Sequence, residues 1–178
     1  MTITVTPIGN LVARDFIERY HNTHKTKRTA LYLGLMNSND GLVGVSGFDY
    51  GPFPNFGRIM SHGLYSNKEV LRQVRFCLSE QMSKNSESYC LAKLVSYVKS
   101  LNKFKLLISY VGGNEIGVAW QACNWLYIGT GSKQKPTGNT ASDTYHRYVL
   151  PIGTRKERKE FLRVIKAQPY PKKVLTVV

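Results

Sequence analysis

The order of hydrophobic periods between residues 70 and 128 constrains this chain most, because few folds accommodate it. Residues 70–78 alternate Val70, Arg72, Val74, Phe76 and Leu78 against Leu71, Gln73, Arg75 and Cys77, and the β-branched content reads as a strand. Residues 79–88 are polar and rich in capping side chains. Residues 89–98 then place their apolar side chains at helical spacing, with Asn85 or Ser86 positioned to cap the first amides. The apolar run 104–111 reads as a buried strand, 114–125 as a second helix carrying Ile116, Val118, Ala119, Trp120 and Ala122, and 126–128 as a further strand. Strand, helix, strand, helix, strand is the succession of an α/β domain.

The flanks extend this unit. Val12, Phe16, Ile17 and Tyr20 share one helical face, so 12–20 reads as a first helix. It runs into the polar loop His21-Asn22-Thr23-His24 and the cations Lys25, Lys27 and Arg28. Residues 31–36 and 42–48 flank Asn37-Ser38-Asn39-Asp40-Gly41 as a β-hairpin. The segment 50–57 holds two prolines and two glycines, which argues against regular structure, and reads as an aromatic-bearing loop. Residues 129–142 read as a polar loop, 143–150 as a last strand and 155–165 as a basic helix ending before Pro169. With 178 residues, no internal repeat and no linker, we expect one domain, with 1–150 as its body and 151–178 as a basic carboxy-terminal helix and tail.

Charge narrows the partners. Lys and Arg number 25 against 11 Asp and Glu, a formal +14, and residues 131–178 alone carry 11 cations against 3 acids, a net +8. A chain so charged repels itself unless a polyanion is near, which points to nucleic acid, anionic lipid or a phosphorylated cofactor. Cys77, Cys90 and Cys123 are widely spaced, with no Cys-x-x-Cys pair and no His in zinc-ligand register, so neither a disulfide framework nor a metal site is expected. The amino terminus lacks a basic flank followed by an apolar core, and no stretch approaches the roughly 18 apolar residues that span a bilayer. A cytoplasmic protein without a membrane partner is the expectation.

Chemistry concentrates in four places. The loop before the central helix, Lys84, Asn85, Ser86 and Ser88, is placed to hold an anion on unpaired helix amides, although the same residues are ordinary caps. Its position after a central strand is the one by which a GNAT-type acyltransferase holds the pyrophosphate of coenzyme A. The run Leu107-Ile108-Ser109-Tyr110, then Gly117, then Trp120-Gln121-Ala122-Cys123-Asn124-Trp125-Leu126-Tyr127-Ile128-Gly129, resembles the central signature of the bacteriophage Mom family of DNA modification proteins, which have a GNAT-like fold. Three further stretches agree: Arg19-Tyr20-His21-Asn22, Asn85-Ser86-Glu87-Ser88 and Gln168-Pro169-Tyr170-Pro171-Lys172. The resemblance covers nearly the whole chain.

It implies a single α/β (α+β) domain of GNAT-like architecture, a mixed sheet with helices on both faces. It also implies transfer of a carbamoylmethyl group to the exocyclic amino group of adenine in duplex DNA, shielding phage DNA from host restriction. The donor is left open between an acyl-coenzyme A and an aminoacyl-tRNA. Carried over residue by residue, Asn85, Ser86 and Ser88 belong to the phosphate loop, His21 to the active-site loop and Ser109 to the catalytic strand end. The chain departs from the family pattern at Tyr89 for an Arg, Gly112 for an Asp, Glu115 for a His and Trp120 for a Tyr. Glu115 replaces the His as an acid or base, whereas Gly112 replaces no carboxylate. A non-catalytic DNA-binding protein on the same fold and an N-acyltransferase for another amine therefore stand beside the main reading.

The expected catalytic group is His21, Ser109 and Glu115, in a cleft between the strand end after 104–111 and the His21 loop. His21 or Glu115 would take the proton from the amine, and Ser109 would donate a hydrogen bond. Lys25, Lys27, Arg28 and Trp120 would face DNA, and Arg155, Arg158, Lys159 and Arg163 would contact backbone phosphates. Tyr50, Phe53, Phe56 and Tyr65 are candidates to stack on an extruded base. Each also has a plainer reading, as solvated charge or core aromatic.

Overall fold

The computed structural model describes residues 2–27, 29–83, 85–112, 115–132 and 144–172. Among them are seven strands, β1 (Ile3–Pro7), β2 (Leu31–Asn37), β3 (Gly41–Asp49), β4 (Val70–Leu78), β5 (Leu106–Gly112), β6 (Leu126–Ser132) and β7 (Thr144–Pro151). The helices are α1 (Asn10–Tyr20), α2 (Phe56–Met60), α3 (Ser86–Ser100), α4 (Val118–Ala122) and α5 (Arg155–Val164), with one 3-10 turn at Asn67–Glu69. One sheet orders the strands β1-β2-β3-β4-β5-β7-β6. Only β4 and β5 run parallel, because α3 crosses between them, while the other neighbours are antiparallel. This is the mixed sheet with helices on both faces.

Two apolar sets hold the layers. Leu71, Leu107, Val111 and Trp125 on one face bury Cys90, Leu91, Leu94 and Val98 of α3. On the other face α1 packs Ala13, Phe16 and Ile17 onto Val45 and Cys77, and Phe161 of α5 sits fully buried against Val70, Leu106, Ile108 and Val149. Thr154 starts α5 with a capping box, its hydroxyl accepting from Glu157 N–H while the Glu157 carboxylate accepts from Thr154 N–H. The Lys105 ammonium, 2.7 Å away, holds the Glu157 carboxyl down to about 2. Past α5 the chain runs along β6, where Gln168 N–H donates to the Tyr127 carbonyl and Tyr170 OH to that of Trp125, covering part of an otherwise open edge.

Two irregularities shape the centre. The parallel pairing of β4 with β5 begins at Val70↔Leu106 and ends at Gln73↔Ser109, although β4 runs on to Leu78 and β5 to Gly112. The strands therefore part into a split. Next to it, Phe48 pairs with Gln73 and Gly47 with Arg75, so Val74 is an extra residue, a bulge in β4. The bulge shifts the alternation, so that Phe76 joins Leu71 against the α3 side while Cys77 joins the α1 side.

Three local expectations give way. Ile3–Pro7, outside the elements read from the sequence although Ile3, Thr4, Val5 and Thr6 alternate, forms β1 on the hairpin's edge. The loop 50–57 ends in α2, which begins at Phe56 after Asn55 takes the left-handed conformation. The helix expected over 114–125 shortens to Val118–Ala122, because Gly117 at φ +71° and Asn124 at φ +58° bound it. Gly117 has no room for a side chain, since a Cβ there would lie 2.6 Å from the Tyr148 ring.

Candidate functional site

The split has two sides. On the α3 and α4 side, Gln73 is buried at the last parallel rung and donates from Nε2 to Ser46 Oγ at 2.9 Å, which in turn donates to the Arg75 carbonyl at 3.0 Å. Trp120 Nε1 donates to Gln73 Oε1 at 3.1 Å, tying α4 to β4. Ser109, 2% exposed, sits across the rung from Gln73 and next to Tyr148 of β7. Tyr148 OH donates to the Ile116 carbonyl and accepts from Gln121 Nε2 at 3.1 Å. Aromatic rings run on from there: Phe76 to Trp120 at 6.0 Å, Trp120 to Tyr148 at 6.5 Å, Tyr148 to Tyr127 at 5.4 Å and Tyr127 to His146 at 5.6 Å. Tyr127 Oη lies 3.1 Å from His146 Nδ1.

The loop from β4 to α3 opens on the same side. Asn85 takes φ +70° and makes no side-chain cap bond, so the first amides of α3 are left to other acceptors. Ser86 is buried and spends its hydroxyl on the Ser83 carbonyl at 2.7 Å, so it shapes the loop. Ser88 is half-buried and its carbonyl accepts from Cys123 Sγ at 3.1 Å, joining α3 to the end of α4. Lys84 lies outside the described residues.

The profile of the Mom protein family matches residues 2–145. The chain belongs to the Mom protein family. No curated protein matches it. Among solved structures, this Mom-family chain is similar to the ribosomal-protein-S18-alanine N-acetyltransferase of Escherichia coli, at 11% identity and a TM-score of 0.58 over 86% of this chain and 96% of that one. Arabidopsis thaliana NAA60 in complex with acetyl-CoA gives 10% identity and a TM-score of 0.61, covering 85% and 100%. A Bacillus subtilis acetyltransferase in complex with CoA gives 11% and 0.56, covering 84% and 99%. The Mom-family chain thus has the fold of the GNAT acetyltransferases.

On the opposite, α1 side of the split lies His21, at the carboxy end of α1. Its ring is half-buried, and burial, with Arg75, His24 and Lys27 adding to it, lowers its pKa to about 4. Thr23 N–H donates to Nδ1 at 3.1 Å, which leaves the remaining proton of the neutral imidazole on Nε2. With Nδ1 accepting from Thr23, the neutral His21 ring presents its Nε2–H as a hydrogen-bond donor. The loop is pinned by Arg75 Nε donating to the Lys25 carbonyl at 2.7 Å and Tyr32 OH to that of Lys27 at 2.9 Å, while both lysine side chains are exposed. Arg28 lies outside the described residues.

The expected trio is not one cluster. Ser109 faces the α3 side, His21 the α1 side, and Glu115 is exposed between β5 and α4, with no hydrogen bond joining the three. The departures from the family pattern also have places. Tyr89 is exposed, with Lys93 Nζ 5.3 Å over its ring, Trp120 is bound into the Gln73 network, and Gly112 has open space where a Cβ would stand. Of the aromatics expected to stack on a base, Phe56 and Tyr65 are core residues. Tyr50 touches Lys103 and Phe104 before β5, at the end of the sheet away from the split. The pair at the split's end of the sheet is Tyr110 and Tyr145, edge to face at 5.1 Å. His146, Gln73 and Tyr127 do not stand out as site residues in the sequence, because their roles depend on pairing across strands distant along the chain.

Proposed function

We propose that this Mom-family chain transfers a small activated group, of the carbamoylmethyl type, to the exocyclic amine of adenine in DNA, protecting phage DNA from restriction in the host cytoplasm. The observation that carries the reading is the split beyond Gln73↔Ser109, an opening with a helix amino terminus on one side and a cationic loop on the other. Of the two donors left open, acyl-coenzyme A is the one that relatives in complex with CoA or acetyl-CoA support. The residues present fit it: the Asn85 side chain does not cap α3, and the parted strands leave a slot for an extended arm. Backbone amides at the start of α3 beyond Ser86, whose own N–H donates to the Ser83 carbonyl, would hold its phosphates, and it would supply the activated carbon, with its thiol as the leaving group when the amine nitrogen bonds to that carbon.

The rest falls to the chain. An adenine amine is a weak nucleophile, its lone pair delocalised into the ring, so the reacting atoms must be positioned and a proton removed as nitrogen bonds to carbon. The base must first leave the stack, and Tyr110 and Tyr145 offer an aromatic surface at the split's end. His21 Nε2–H would donate to a ring nitrogen, and Ser109 Oγ to the transferred group. The departing proton has two acceptors to go to, the Glu115 carboxylate and the His146 imidazole oriented by Tyr127. Glu115→Gln and His146→Gln tell them apart: the true acceptor's loss should cut turnover about a hundredfold with DNA binding retained. Full turnover in both variants would remove this assignment. The function itself is tested by restriction: DNA from cells expressing the chain should resist enzymes whose sites contain adenine, and unchanged cleavage would count against it.

A further inference from the structure

At the closed end of the sheet, a pocket of about 300 Å³ lies between α5 and the ends of β6 and β7. Leu126, Leu150 and Leu162 give it apolar walls, and Arg155, Arg158 and Lys159 stand around it. None of the three cations makes an ion pair among the described residues; of the two acids on their helix, Glu157 is taken up by Lys105 and by the cap at Thr154, and Glu160, exposed beside Lys159, is in no ion pair among the described residues. Leu162 is 51% exposed, so the wall it forms meets water. A merely solvated helix face has cations beside polar residues. Here they border a leucine-lined recess, which suits a ligand with anionic groups on an apolar body.

The place of the pocket separates it from the split. Pro151, another of its residues, pairs with Leu106 at the first rungs of β5, and the open end of the sheet is the Gly112↔Tyr145 rung, six residues on. At about 3.3 Å per residue that is roughly 20 Å. An axial rise of about 3.4 Å per base pair makes this the length of about six base pairs of duplex.

We propose that this pocket holds the sugar–phosphate backbone of duplex DNA at a second contact, about six base pairs from the base in the split. It rests on the DNA-substrate reading above. Phosphate oxygens meet Arg155, Arg158 and Lys159, and the apolar face of a deoxyribose lies on Leu162. Such contacts carry affinity and register without reading sequence. The pocket anchors DNA and takes no part in the chemistry.

The test uses the full chain without donor, binding a labelled 30-base-pair duplex between 50 and 200 mM salt, read by fluorescence anisotropy. The triple variant Arg155→Gln, Arg158→Gln, Lys159→Gln should bind at least tenfold more weakly, with the log–log salt slope smaller by about 2 to 3, at about 0.9 for each phosphate no longer neutralised. Leu162→Gln should weaken binding several-fold with the slope unchanged. All four side chains are exposed, and unchanged circular dichroism checks the fold. Wild-type affinity and slope in the triple variant, or wild-type affinity in Leu162→Gln, would overturn the proposal. So would displacement of the duplex by free deoxyadenosine monophosphate at equal phosphate concentration, which would make the pocket a mononucleotide site. If wild-type protein binds no duplex, the DNA reading and the pocket fall together. If only the variants lose binding, the pocket stands whatever the modification assay returns.

Discussion

His21 loses its ordinary basicity through burial at the end of α1, beside Arg75 and Lys27, and the loss is measurable. The free imidazole titrates near 6.5 and the folded one near 4, so between those values the unfolded chain binds more protons. Stability from the neutral ring is complete above about pH 6.5 and falls as the pH drops toward 4. His21→Gln should flatten that part of the curve of melting temperature against pH, and an identical curve would show that the ring is not buried as described. Turnover should show no limb from His21 between pH 5.5 and 8. Gly112 provides a second test at this scale. Nothing stands within 4 Å of a Cβ there, so Gly112→Asp should fold normally and, by supplying the carboxylate that the sequence resemblance implies at this position, maintain or raise turnover. A collapse of the melting temperature would show that the position needs glycine for its backbone.

The elements are legible in the sequence where period and turn chemistry agree. The hairpin β2–β3, the strand β4 and the helices α1, α3 and α5 are all readable, because each carries enough residues for a period of 2 or 3.6 to show. α2 and α4 have five residues each and show no period, so the pattern overextends α4 and gives no sign of α2, while β1 alternates Ile3, Thr4, Val5 and Thr6 but is cut short by Pro7. The bulge at Val74 is not legible, since Val70 to Leu78 mixes apolar and polar residues on both alternate sets and nothing in it marks which residue lacks a partner. Two predictions belong here. Ser88→Glu should fold, because an acid suits a helix start, yet lose coenzyme A binding by calorimetry, because its charge would occupy the anion site; retained binding would make the loop only a cap. Thr154→Ala should cost about 1 kcal/mol through the lost cap of α5, a fall of about 2–4 °C in melting temperature for a chain of this size. An unchanged melting temperature would mean that Phe161 and the Lys105–Glu157 pair hold α5 without it.

Across the whole molecule, sequence order conceals what the sheet gathers. Gln73, Ser109, Trp120, Tyr127, His146 and Tyr148 come from β4, β5, α4, β6 and β7 and meet on one side of the split. No local pattern links them, and so the family resemblance points to Ser109 and Trp120 but not to Gln73 and His146. The same sheet sets His21 on the far side from Ser109, and under the proposed function a donor and an acceptor would enter from these opposite faces. The positive charge follows a division of its own, with Lys25 and Lys27 on the α1 side and Arg155, Arg158 and Lys159 at the closed end. The most direct measurement is made on product: DNA from cells expressing the chain is digested to nucleosides and compared by mass spectrometry with DNA from cells expressing Glu115→Gln combined with His146→Gln. A new adenosine species of higher mass in the first sample, absent from the second, is the expected result. Unmodified adenosine alone, from cells that contain the folded wild-type chain, would contradict it.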